Sequence, residues 1–381
     1  MKTIWKMSGF AVVLCAPAWG LEVTAVNPSE FARAAETIEV QARDLESLGE
    51  KNFLNLHVKD ANGAEVLCQA VDNDGDEFRK PDSLIFQADF APGETKRFTV
   101  VKGARQVYKK EQFKAFGRFN RERFDDFVWE NDKIAHRTYG KALETWKGEP
   151  LTSSTIDIWS KRTPRMVVND WYLADDYHVD HGEGADFYSA GPSRGCGGSG
   201  IWAADKLWVS SNFVKSNVLA NGPIRVMFEL EYAPYEVNGT KVAEVKRVTL
   251  DAGSHFDFYQ SSYLAEGPLN LATASGLKKA KGETLMEGNG WLAKWEPMEK
   301  KAGQQGLAVI VPPARFERRV ESGPDHLVVL KPCSGCIAKW WAGFCWDKAG
   351  EITTADAWRS HVVQFTEKLA APIKVSVDPS K

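Results

Sequence analysis

Two stretches of this 381-residue sequence concentrate side chains able to move protons. The first runs Gly117-Arg118-Phe119-Asn120-Arg121-Glu122-Arg123-Phe124-Asp125-Asp126-Phe127-Val128-Trp129-Glu130-Asn131-Asp132 and continues to His136-Arg137-Thr138-Tyr139-Gly140. The second begins at Asn169-Asp170-Trp171-Tyr172, passes through Asp176-Tyr177-His178-Val179-Asp180-His181-Gly182-Glu183-Gly184, and ends at Ser193-Arg194-Gly195-Cys196-Gly197-Gly198. Of 7 histidines, His136, His178 and His181 fall inside these stretches. Imidazole exchanges protons near neutral pH more easily than any other side chain, and its grouping with Tyr, Asp and Arg is what acid/base catalysis requires. Taken singly, each histidine is equally well read as a hydrogen-bonded packing residue; as a group they point to a site.

Other chemistries fit the same residues less well. His178 and His181 with Asp180 and Glu183 are the residue types of a divalent metal site, but the glycines at 182 and 184 indicate a loop rather than a helix presenting both imidazoles on one face. Metal binding is therefore the second reading, and no cofactor is otherwise expected. Gly195, Gly197 and Gly198 beside Arg194 suit an anion-binding turn, although no Gly-Lys-Ser/Thr follows to make a phosphate loop. No Gly-x-Ser-x-Gly elbow supports a serine hydrolase. Glu130, Asp132, Asp176 and Glu183 supply the carboxylates that a glycosidase would need. Tryptophan is abundant at 14 residues, among them Trp129, Trp159, Trp171, Trp202, Trp208, Trp340, Trp341, Trp346 and Trp358. Flat indole faces serve core packing and also suit the C–H faces of sugar rings.

The elements that must position these residues read mostly as strands. Short β-branched or aromatic runs occur at 53–58, 84–90, 97–101, 225–232, 242–250, 255–263, 307–311 and 327–330, separated by turn signals. Asn62-Gly63 and Asn238-Gly239 tolerate positive φ and predict type I′ hairpins. One helix is predicted near the end, where Trp358, Val362, Phe365 and Leu369 recur on one face after a candidate cap at Thr354. No repeat of 20–50 residues indicates a propeller or solenoid. Residues 21–101 read as a small β unit, 102–116 as a linker and 117–381 as a large β lobe. Asp72-Asn73-Asp74-Gly75-Asp76 is read as a solvated acidic turn, because Ser83 stands where a calcium loop would place its bidentate Glu.

Residues 1–20 have the layout of an export signal: Lys2 and Lys6, an apolar run from Gly9 to Pro17, and Ala18-Trp19-Gly20 as a small-x-small cleavage pattern. No stretch approaches the about 20 apolar residues of a spanning helix, so membrane insertion is not expected. Cleavage would move the net charge from −3 to −5, Lys2 and Lys6 being the only charges lost. A mildly acidic chain without a basic block has no footprint for nucleic acid. The expected location is periplasmic or secreted. Cys68, Cys196, Cys333, Cys336 and Cys345 would remain, an odd number. For Cys333-Ser334-Gly335-Cys336 a local disulfide or two buried thiols fits better than zinc.

Trp129-Glu130-Asn131-Asp132 with Ala135, Arg137, Tyr139 and Gly140, followed by Asp176-Tyr177-His178, His181-Gly182-Glu183-Gly184 and Arg194-Gly195-Cys196-Gly197-Gly198, resembles a bacterial domain-of-unknown-function family of polysaccharide-utilisation gene clusters. That family includes an oligosaccharide dehydratase acting on ulvan fragments. The resemblance spans nearly the whole chain after the leader. It implies a large antiparallel β-sandwich related to galactose mutarotase and polysaccharide lyases, preceded by a small β unit and with few helices. It also implies elimination of water from a non-reducing-end uronic acid, or cleavage by the same β-elimination if a sugar leaves; a non-catalytic sugar-binding protein is the alternative from another class. Elimination needs a base, an acid and a cation within reach of one sugar ring. The candidates are His178 or His181 as base, Tyr177 or His136 as acid, and Arg118 or Arg194 on the carboxylate, with Trp129, Glu130, Asp132, Trp171 and Tyr188 contacting substrate. The expected partner is a uronic-acid-containing oligosaccharide.

Overall fold

Alternation of side chains along the strands accounts for most of the architecture. In Thr240–Asp251, Val242, Val248 and Leu250 point inward with Glu244 and Lys246 between them, while the intervening residues face outward. This strand is central to an antiparallel sheet of eight strands whose order runs from Phe213–Asn221 through Arg225–Val237, Thr240–Asp251, Phe256–Ala265, Ala338–Trp346, Gln304–Ile310 and Trp291–Pro297 to Thr284–Gly288. The computed structural model describes residues 20–76, 80–148, 151–174, 176–265, 270–335 and 337–379. Cys336 and the expected export leader, Gly20 excepted, lie outside these residues.

One face of the eight-stranded sheet covers two five-stranded sheets. One of them is built on Cys196–Ala203, Asn270–Lys278 and Asp325–Ser334; the other runs in sequence order from Ala115–Asn120 through Asp126–Asn131, Ala135–Thr138 and Asp157–Lys161 to Gly184–Ala185. Phe127, Trp129, Ile158, Phe228, Val248, Leu307, Val328 and Phe344 share the main core between them. The opposite face of the large sheet carries the helix Ala355–Ala370. As the spacing predicts, the helix lays Trp358 and Val362 on the sheet, with Phe365 and Leu369 alongside, and the Thr354 side chain accepts the Ala357 N–H at its start.

The small unit has its own core. A five-stranded and a three-stranded sheet enclose Val23, Ile38, Val40, Leu56, Phe86 and Val100. Its boundary differs from the sequence reading: Lys374–Pro379, expected in the large lobe, returns to pair antiparallel with Gly20–Val26. The segment read as a linker ties back as well, since the Tyr108 hydroxyl donates to the Cys68 carbonyl. The units are bolted together by Gln69, whose side chain donates to the Arg225 carbonyl and accepts the Ile224 and Arg225 N–H groups.

The two Asn-Gly pairs behave differently. Asn238 and Gly239 both have positive φ, 47° and 84°, and close a two-residue hairpin between Val237 and Thr240. In the longer Asp60–Ala64 turn only Gly63 is left-handed, because the Asp60 carboxylate accepts the Asn62 and Ala64 N–H groups and sets the loop. Cys333 is disulfide-bonded, whereas Cys68, Cys196 and Cys345 are buried free thiols. Among the described residues no helix is long and apolar enough to cross a membrane.

Trp358 is fully buried, stacks on Phe256 at 5.5 Å and donates its indole N–H to the Leu307 carbonyl. Trp358→Ala is expected to cost about 3–5 kcal/mol of stability. Equilibrium denaturant unfolding checks this; a loss near zero would show that the helix contributes little to holding the sheet.

Candidate functional site

The two polar stretches pack together. Strand Ala135–Thr138 inserts Arg137 between carboxylates on two elements: its Nε donates to Asp157 at 2.8 Å and its Nη2 to Asp186 at 2.8 Å. The Tyr139 hydroxyl donates to the same Asp157 oxygen at 2.6 Å, and the Tyr172 hydroxyl to Asp126 at 3.2 Å. Trp159, Tyr139 and Tyr177 turn ring faces toward the Arg137 guanidinium at 5.3 to 5.7 Å. Burial shapes the titration here. It pushes Asp126 up to about 7 against the attraction of Arg137. The Arg137 guanidinium is itself held protonated by Asp186, Tyr139 and Asp157 despite its burial.

Above this network lies a solvent-facing rim. Tyr177 is half-buried, and its oxygen accepts from Arg123 Nε at 2.7 Å and from Arg137 Nη1 at 3.3 Å. Its own hydroxyl hydrogen is thus free for a third partner. His178 follows, with its ring 4.5 Å from that of Tyr177 and its side chain 46 % exposed. Its Nδ1 lies 3.0 Å from the Asp186 carbonyl oxygen. A carbonyl can only accept, so Nδ1 carries the hydrogen and the neutral ring presents its lone pair on Nε2. The Arg123 guanidinium lies over the rings of Phe124 at 5.0 Å and Trp146 at 5.2 Å, which themselves pack 4.9 Å apart; its Nη1 is enclosed and without a hydrogen-bond partner, and Trp146 is 37 % exposed.

Residues 25–375 match the family described as Domain of unknown function (DUF4861). The chain belongs to this family. An uncharacterized protein P7 from Formosa agariphila is 32 % identical over 376 residues, covering 93 % of each chain. Among solved structures, a protein in the glycosyl hydrolase family 38 from Enterococcus faecalis matches with a TM-score of 0.53 at 11 % identity, covering 94 % of this chain and 47 % of that one. An alpha-mannosidase from the same organism gives 0.48 at 10 % identity, covering 95 % and 46 %. The chain therefore spans about half the length of the solved structures it matches, and the likeness is one of fold.

Within this DUF4861 chain several expected site residues have other work. His136 is buried, parallel to Trp129 at 5.1 Å, with Nε2 standing 3.0 Å from Asp257. Desolvation lowers His136 to about 3 and raises Asp257 to about 8, so the pair is neutral at pH 7 and out of a substrate's reach. Trp129 is likewise enclosed, its indole N–H donated to Asp257 at 2.8 Å, and has no face for a sugar. Glu130 accepts from Lys161 Nζ and from the Val167 and Val168 N–H groups, holding the start of the helix Val168–Tyr172. Arg194 is buried on the Ser154 carbonyl and the Ser153 hydroxyl, which removes it as a carboxylate ligand.

The glycine turn beside Arg194 is a packing device rather than an anion cradle. At Gly195 a Cβ would meet the Ile156 carbonyl at 1.9 Å, and the N–H groups of Gly195, Cys196 and Gly198 already donate to Ser193, Ile156 and Arg194. In the His178–His181 loop, Asp180 accepts from Arg162, Gly182 and Gly184, and Glu183 is gripped by Arg165. His181 is exposed on that loop. Arg118 is partly exposed and bound to Asn169 and Glu122; Trp171 is half-buried against Trp159; Tyr188 is buried near Lys278; and Asp132 holds the Gly253 N–H at the far end of its hairpin.

Arg123, Trp146, Asp157 and Asp186 were not singled out from sequence. For Asp157 a signal existed: a lone carboxylate in the apolar run Ile156–Trp159 must be buried with a partner.

The raised Asp126 has a consequence for stability. Between an unfolded value near 3.8 and a folded one of about 7, the folded protein binds more protons, so this group's contribution to stability falls as pH rises through that window. Asp126→Asn removes the slope while keeping an acceptor for Tyr172. Relative to wild type, the variant should gain by about 1.4 kcal/mol per pH unit across the window. Unfolding free energies measured below and above it test this; parallel pH profiles would contradict it.

Proposed function

We propose that this protein is an exported carbohydrate-active enzyme that eliminates water from a uronic acid at the non-reducing end of an oligosaccharide. The observation that carries the reading is the adjoining Tyr177–His178 pair, with a lone-pair nitrogen on one ring and a hydroxyl beside two guanidiniums on the other.

In this reading His178 Nε2 removes the C5 proton, whose acidity derives from the neighbouring carboxylate. Electrons from the C5–H bond form the C4=C5 double bond as the C4–O bond breaks. The Tyr177 hydroxyl protonates the departing oxygen, which leaves as water, and the His178 proton returns to Tyr177 through solvent. Charge building on the substrate carboxylate faces the half-buried Arg123 guanidinium beside the Tyr177 hydroxyl, in place of the Arg118 or Arg194 expected from sequence. Trp146 offers an exposed indole for the sugar face. The buried Arg137 network holds both reacting side chains and touches no substrate.

His178→Ala should reduce turnover about 10²–10⁴-fold, as loss of a proton-transferring group does, while leaving unfolding unchanged, since its side chain is half in water. Product mass and the ultraviolet absorbance of the conjugated double bond, followed on a set of uronic-acid oligosaccharides, are the readouts. Loss of one water supports the reading. Chain shortening would instead identify a lyase using the same residues, and near-wild-type turnover in a folded His178→Ala would remove the proposed base.

A further inference from the structure

An open cavity lies away from Tyr177 and His178. A cleft of about 510 Å³ runs between the strand Arg33–Gln41 of the small unit, the eight-stranded sheet and the helix Ala355–Ala370. That is the size of a small-molecule pocket, about 300–1,000 Å³. Its walls are tied together, because the side-chain amides of Gln69 and Gln87 in the small unit donate to the Arg225 and Ala252 carbonyls.

The charges lining it neutralise one another. Arg225 forks onto Asp251 at 2.7 and 2.9 Å and reaches Glu39 at 3.1 Å, while Lys368 pairs with Glu36 at 2.9 Å. A charged ligand would have to break these pairs. What remains uncommitted is aromatic and imidazole surface. Phe258 and Trp341 are cross-strand neighbours, both half-buried, stacked at 4.8 Å with 21° between planes. His255 and His361 meet edge to face at 5.1 Å, and His255 is buried with its Nδ1 lacking any hydrogen-bond partner.

Burial pushes His255 down to about 3, with His361 adding to the lowering, and His361 down to about 4, with Lys368 adding to it. Near neutral pH both rings are uncharged, although Lys133, Glu351 and Lys368 stand close enough to act on one or both of them. A neutral imidazole lining the cleft suits an uncharged hydrogen-bonding group, and a hydroxyl can meet the ring whichever tautomer is present. An indole and a phenyl ring alongside call for a flat apolar face on the same ligand. Hydroxyls around an apolar C–H face describe a sugar ring.

We propose that the cleft is a second carbohydrate-binding site, which takes an uncharged sugar unit stacked on Trp341 and Phe258 and hydrogen-bonded by His255. The ligand class follows from this lining alone and does not depend on the elimination chemistry at Tyr177 and His178.

Calorimetric titration of the full chain with a panel of neutral disaccharides and uncharged oligosaccharides tests it, using wild type, Trp341→Ala, His255→Gln and His178→Ala. At least one sugar should bind, about tenfold more weakly to Trp341→Ala and to His255→Gln, with His178→Ala binding as wild type does. Trp341 is half-buried, so its variant keeps the test open if His255→Gln fails to fold. Absence of binding across the panel, binding indifferent to Trp341→Ala, or binding lost in His178→Ala would each overturn the proposal. Elimination activity on uronic-acid oligosaccharides, measured on the same four proteins, separates failure of this site from failure of the first.

Discussion

A guanidinium stripped of water needs carboxylate partners, and Arg137 finds Asp157 on the neighbouring strand and Asp186 just beyond the strand Gly184–Ala185, each at 2.8 Å. Removing either partner would leave a buried charge uncompensated, which costs about 3–5 kcal/mol where it has been measured. The loop between Tyr172 and Asp186 is therefore constrained at its far end by an ion pair and at its near end by the Tyr172–Asp126 hydrogen bond. Tyr177 and His178 sit between these two anchors, and their placement is set by contacts made underneath them.

Asp186 acts twice. Its carboxylate holds Arg137, while its carbonyl accepts the hydrogen of His178 Nδ1 and so selects the tautomer that faces solvent with a lone pair. Any shift of Asp186 that weakened the ion pair would also turn the imidazole. The ion pair and the orientation of the His178 ring are linked through a single residue.

Strand and helix periods were legible because they depend only on neighbours along the chain. Trp358, Val362, Phe365 and Leu369 define one helix face wherever that helix docks, and the alternation through Val242 to Leu250 defines one sheet face. What lies across the sandwich from a polar residue does not follow from local pattern. Glu130 and Arg194 stand in the densest polar stretches, yet one meets Lys161 and a helix start and the other meets the carbonyl and hydroxyl groups of residues 153 and 154. His136 has Trp129 and Asp257 opposite it, where His178 has Tyr177, Asp186 and water. The return of Lys374–Pro379 to the first strand was likewise hidden, since pairing across the length of the chain leaves no mark on either segment alone.

The polar stretches thus served two ends at once, and the division between them follows the depth of each position. Strand residues of the first stretch, Asp126, Trp129, Glu130, His136 and Arg137, are all buried and find their partners within the sandwich. Turn and loop residues, Arg123, Tyr177 and His178, keep access to solvent while taking hydrogen bonds from that interior or giving them to it. Under the proposed elimination this arrangement would leave the dipoles around the reacting groups oriented before substrate arrives, with little reorganisation required as charge develops. The buried ions reach no substrate themselves, but without them the rim would be a mobile loop carrying a histidine and a tyrosine in no particular relation.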